Sequence, residues 1–218
     1  MEQEREKYII KVLQKVFQDG YRPARGDEPY SVRLKNGVPA SGMVNCMGHI
    51  FNLQNQQFDD YEIKPYEVVS HNYAFPYFMG LKADSNDKSA RMMLNLIKKT
   101  GLKVTECAPD EIISDFKSWK IALYFSAKDF HYLLEDFPRQ WSGKIGDTGI
   151  VEHFNNLTPP KEYCNHRNTL PAIYRLYGTY KLTNKKADEN NKYVKDFVAK
   201  KKKCIITLNQ DINQGKEL

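Results

Sequence analysis

The sequence predicts an α+β fold, in which helices come first and an antiparallel sheet follows. Two observations carry this. Residues 2–19 and 87–99 repeat apolar side chains at helical spacing, and beyond residue 100 short runs rich in aromatic and β-branched residues alternate with turn signals. The order of these elements puts the helices ahead of the strands, with no internal repeat.

The first helix has Tyr8, Ile9, Val12, Leu13, Val16 and Phe17 on one face and stops at Asp19-Gly20. Its polar face mixes both charge signs, so the expected role is packing against the core rather than lying on a membrane. Residues 21–43 are rich in Pro, Gly and Arg and read as a long irregular approach; Arg25-Gly26-Asp27 within it is a chance three-residue match to an adhesion motif. Asn45-Cys46 then opens a helix running through Leu53, and residues 54–85 read as polar and aromatic loop. Asn86 caps the next helix, which turns Ala90, Met93, Leu94 and Ile97 inward and ends at Gly101.

The strands follow. Leu102 to Cys107 reads as a strand, Asp110 to Phe116 as a short helical or turn segment, and residues 119–136 as one central strand leading to a hairpin at Pro138. Trp141 to Glu152 reads as its partner, loosened by Gly143 and Gly146; 153–170 reads mostly as loop, and Tyr174 to Leu182 as the last strand. Residues 1–183 are therefore expected as a single α+β domain with its core over 40–155. Residues 184–218 are expected as a basic C-terminal extension with a helix-like segment around Tyr193, Val194, Phe197 and Val198.

Composition narrows the function classes. With 218 residues, 41% of them hydrophobic, the chain can bury one substantial core. The formal net charge of +6 is spread among interspersed acids, and the densest basic run, Lys200 to Lys203, reads as a solvated face; a nucleic-acid partner is the lesser reading. No apolar stretch approaches the roughly 20 residues that span a bilayer, and the first seven residues lack a hydrophobic signal core, so a cytoplasmic location and no membrane partner are expected. Cys46, Cys107, Cys164 and Cys204 form no CxxC pair, which argues against a metal site and a disulfide framework and for free thiols. No cofactor is expected.

Two positions carry candidate chemistry. His131 lies in the β-rich run Asp129-Phe130-His131-Tyr132, where a histidine either satisfies itself in the core or acts as a base. Cys46 lies far upstream in Asn45-Cys46-Met47-Gly48-His49-Ile50-Phe51-Asn52-Leu53. A cysteine opening a helix with a histidine on a later strand is the arrangement of thiol hydrolases. The unpaired amides of a helix start lower a thiol pKa and can hold an oxyanion; the alternative for Cys46 is a buried small hydrophobe. His49, at i+3 from Cys46, is a rival base.

These stretches resemble a bacterial family of papain-like (NlpC/P60-like) cysteine hydrolases. Residues 45–53 are similar to that family's NCYAYALN segment, and the run from Ala122 through Asp129, His131 and Trp141-Ser142-Gly143-Lys144 to Gly146 is similar to its DYHWY…WSHKPG segment. The resemblance covers roughly residues 40–155. It implies a papain-like core, with the cysteine at a helix N-terminus packed on an antiparallel sheet that carries the histidine. It also implies Cys46 as nucleophile and His131 as general base, holding the thiolate in an ion pair and later protonating the leaving amine. The chain departs from the family at its third position, where Gly143 stands in place of histidine. Asp147 is the expected substitute, ahead of Asp129 and Asp136. Asn45 either caps the helix or assists the oxyanion hole, and Trp141 either shields the pair or fills core.

The resulting expectation is a peptidase or amidase acting on an amide bond of a protein or peptide substrate. Its rivals are a catalytically silent papain-like protein that binds a partner protein, and a nucleic-acid-binding protein using the basic C-terminal region.

Overall fold

A computed structural model of the chain describes residues 2–23, 46–51, 86–126, 129–144, 151–165, 172–191 and 194–213. Its elements run in the order α1 (Glu2–Gln18), α2 (Cys46–Ile50), α3 (Asn86–Lys99), β1 (Lys103–Glu106), β2 (Ser118–Phe125), β3 (Phe130–Phe137), β4 (Gln140–Lys144), β5 (Val151–Phe154), β6 (Glu162–Asn165), β7 (Ala172–Thr183) and α4 (Lys195–Asn213). The fold class is α+β, as the alternation of helical and strand periods predicts.

All seven strands join one antiparallel sheet in the order β1-β7-β2-β3-β4-β5, with β6 on the N-terminal half of β7. The register fixes two faces. On one, Trp119, Ile121, Leu123 and Phe125 of β2 stand beside Tyr132 and Leu134 of β3, and α1, α2 and α3 cover them with Leu13, Val16, Phe17, Met47, Ile50, Met93 and Ile97. On the other, Ala122, Tyr124, Leu133 and Trp141 meet Tyr163 and Tyr174. A bulge in β7 opposite Leu123 and Tyr124 reverses the alternation along that strand, so Tyr174 serves the second face while Tyr180 and Leu182 serve the helix face.

Local chemistry explains the boundaries. Gly20 and Gly101 follow α1 and α3 at φ 87° and 95°, the left-handed conformation that closes a helix and that only glycine adopts without strain. The β3–β4 hairpin turns on Pro138-Arg139, with Arg139 at φ 69° and its amide bound by Glu135 Oε1 at 3.3 Å.

Three sequence expectations are corrected. Residues 119–136 form two strands, because Ser126 and Asp129 close a turn through Ser126 N–H to Asp129 O at 2.8 Å and Asp129 N–H to Ser126 Oγ at 3.1 Å. The stretch 141–152 contributes two strands, β4 and β5, which pair with each other. Residues 162–165, expected as loop, form β6, stabilised by pairing that local propensity does not reveal. Cys204 to Leu208 continues α4.

The segment after Thr183 is tied to the body. Buried Asn184 donates Nδ2 to Phe17 O at 2.8 Å and to Tyr21 O at 2.6 Å, closing the C-terminal end of α1 against β7. Val194 is buried, and Lys201 of α4 donates Nζ to Asp115 O at 3.0 Å and Ser118 O at 3.3 Å. No described helix is long and apolar enough to cross a membrane.

Candidate functional site

Helix α2 packs chiefly on β3 and also touches β4. Cys46 is its first residue and is buried. Among the described residues the β3–β4 ladder runs from Phe137–Gln140 to Leu133–Gly143. Next to that pair, the backbone amides of Tyr132 and Met47 favour the Cys46 thiolate. The thiol therefore sits on the peptide unit that joins His131 to Tyr132. Position 46 thus lies against the β3 backbone next to position 131, but the thiol belongs to the helix-face cluster with Tyr132 while the His131 ring turns to the second face, and the two side chains share no hydrogen bond.

His131 points to the second face, opposite the neighbouring Tyr132. Its ring stacks on Tyr163 with centroids 4.6 Å apart and planes 3° from parallel, and Tyr174 flanks it at 5.6 Å. Its Nε2 is buried and has no hydrogen-bond partner among the described residues. The nitrogen faces Gly143: a Cβ built there would stand 3.0 Å from Nε2 and 2.3 Å from Leu133 Cδ2. The departure from the family pattern thus sits directly at the imidazole.

Burial governs the ionisation of both groups. It pushes the Cys46 thiol up to about 12; Asp129 raises it further, while the Tyr132 amide, the Lys144 ammonium and the Met47 amide pull it back. Burial takes His131 down to about 3. At neutral pH the resting site holds a thiol and a neutral imidazole. The five-residue α2, rather than a helix through Leu53, adds little dipole.

The remaining candidates divide as follows. His49 is buried on the helix face with Nε2 2.8 Å from Ser142 Oγ on β4; burial first, then Lys144, His131 and His153, hold it near 3. Asp129 is committed elsewhere, accepting from its neighbour Phe130 N–H at 2.8 Å and from Tyr174 OH at 2.8 Å. Asp136 lies buried near the far end of β3, five residues along from His131. Trp141 is fully buried among Leu133, Tyr124 and Tyr163, with Lys120 Nζ 5.4 Å from its ring centroid, so its ring fills core on the His131 side. Asn45 and Asp147 lie outside the described residues. Among the described residues no group of three His, Cys, Asp or Glu side chains could hold a metal ion.

Sequence reasoning missed Tyr163, Glu152 and Lys144. Tyr163 reaches the imidazole because β6 pairs with β7. Glu152 faces the same side as Gly143 because β5 pairs with β4 at that position. Lys144 is fully buried on β4 and is electrostatically coupled to both Cys46 and His49. Comparison of the chain with protein-family models, curated proteins and solved structures finds no match in any of the three.

Proposed function

We propose that the protein is a papain-like thiol hydrolase that cleaves an amide bond, with Cys46 as nucleophile and His131 as general base. The observation that supports this reading is the Cys46 sulfur against the β3 backbone at Tyr132, the residue after His131. Two residues 85 positions apart, of the types that thiol chemistry requires, meet at one stretch of β3 backbone. A histidine whose Nε2 is buried without a partner among the described residues also costs stability, a cost that selection for a core residue alone does not explain.

The chemistry follows from the neutral resting pair. Nε2 is turned to Gly143, so the reading assigns Nδ1 to take the thiol proton as sulfur attacks the substrate carbonyl carbon, a step that requires thiol and imidazole to come to one side of β3. The resulting imidazolium returns that proton to the departing amine, leaving a thioester on Cys46. Water then attacks the thioester with His131 as base and releases the acid. This differs from the ion pair expected from the resemblance: the proton moves during attack, because burial opposes both charges beforehand. A protein or peptide is the substrate class that fits a peptidase or amidase of this type.

Acylation by an activated ester, followed by mass mapping, tests the reading. Modification concentrated on Cys46 in the folded protein, and reduced in His131→Ala by roughly 100-fold or more, is the expected result. Label spread over the half-buried Cys107, Cys164 and Cys204, with Cys46 indifferent to His131, would sink it.

A second reading is favoured by one observation. Gly143 offers no side chain to orient the imidazole, which suits a silent papain-like protein that binds a partner protein through the same surface. The acylation experiment separates the two.

A further inference from the structure

We propose that Glu152 is the positioning residue for the His131 imidazole, acting from β5, the strand paired to Gly143, with Tyr163 holding the ring. This rests on the Cys46–His131 reading and supplies the orienting group that reading lacks.

The argument begins with register. Gly143 pairs with Leu133 on one side and with Glu152 on the other, so the three residues share the sheet face that carries His131. Gly143 has no side chain, so Glu152 is the next group along that face from the imidazole. It is half-buried and, after burial, is the largest influence raising the pKa of the Tyr163 phenol, although the Tyr163 hydroxyl makes no hydrogen bond among the described residues. The same Tyr163 ring lies parallel on the imidazole at 4.6 Å. A carboxylate and a phenol electrostatically coupled to it thus share one sheet face with a histidine whose Nε2, beside Gly143, makes no hydrogen bond among the described residues.

The other described acids near the ring are engaged. Asp129 accepts from Tyr174 and from the Phe130 amide, and Glu135 pairs with Lys120 at 3.5 Å. The glycine itself has a physical reason. A Cβ at 143 would collide with Leu133 and crowd Nε2, closing the approach that a carboxylate on the adjacent strand needs. An imidazole that donates Nε2–H to Glu152 presents Nδ1 as the acceptor, the tautomer required of the base.

The test uses the full chain labelled with 15N-histidine and compares wild type with Glu152→Gln, Tyr163→Phe and Tyr163→Leu. Glu152→Gln keeps size and removes charge, so the fold is retained. The expected result is a change in the His131 ring nitrogen shifts in Glu152→Gln, reporting a redistributed tautomer, with Cys46 acylation slowed at least roughly tenfold. Tyr163→Phe, which keeps the stack, stays closer to wild type than Tyr163→Leu. Unchanged His131 nitrogen shifts in Glu152→Gln overturn the proposal. The reading beneath it fails separately, if His131→Ala leaves Cys46 acylation untouched, and the nitrogen shifts decide the role of Glu152 in either case.

Discussion

Gly143 is the residue on which the site turns, and its consequence can be measured as stability. A Cβ at this position would overlap Leu133 Cδ2 at 2.3 Å, and Leu133 is fully buried, so the overlap is not relieved by swinging into solvent. Overpacking of this kind costs about 1–3 kcal/mol. Gly143→Ala is therefore expected to lower the unfolding free energy by that amount, read as a lower urea midpoint. Leu133→Ala in the same chain should recover part of the loss as a coupling energy, since the two side chains compete for one space. A midpoint unchanged by Gly143→Ala would show that β4 shifts freely, and the crowding argument for the imidazole would fall with it.

At the scale of elements, the site depends on strands that pair across long separations. The β3–β4 hairpin brings Gly143 to His131, β5 adds Glu152, and β6 reaches the ring only because β7 aligns it. The clamp between α1 and β7 is Asn184, whose single amide group satisfies two carbonyls, Phe17 O and Tyr21 O. Truncating it leaves Tyr21 O without this donor and Phe17 O with only the Gly20 amide at 3.3 Å, a loss of about 1–3 kcal/mol. Asn184→Ala should show that loss in chemical denaturation. Exposed Asn190, changed in the same way, should stay within about 0.5 kcal/mol of wild type. Equal effects at the two positions would refute the clamp.

For the whole molecule, buried titratable groups set how stability follows pH. His49 and His131 are both held near 3 against an ordinary 6.5, chiefly by burial. Between these values the unfolded chain binds protons that the folded protein does not, so their contribution is intact above 6.5 and lost as pH falls towards 3. Each adds a slope of about 1.4 kcal/mol per pH unit. Urea midpoints of wild type and His49→Gln, taken from pH 4 to 6, should diverge accordingly, and parallel curves would contradict the burial. Lys201 acts at the other end. Burial, with Arg22 adding to it, brings its ammonium from 10.5 down to about 7, so the folded state sheds a proton first and the penalty of burying charge is relieved as pH rises from 7 to 10.5. Wild type should gain stability relative to Lys201→Met across that window.

The sequence alone determined the α+β class, the helices α1 and α3 with their glycine stops, and the long last strand. Each of these is written in local periodicity and in backbone preferences that neighbours do not override. It also singled out Cys46 and His131 by residue type and order. Only the tertiary structure decided what surrounds them. Nothing near Tyr163 or Glu152 in the chain marks either as a neighbour of His131, because pairing register, not propensity, brings them to one face. The uncharged state of the resting pair is likewise a property of the assembled fold: desolvation requires the two layers that cover Cys46 and His131, and those layers come from segments far apart in the chain.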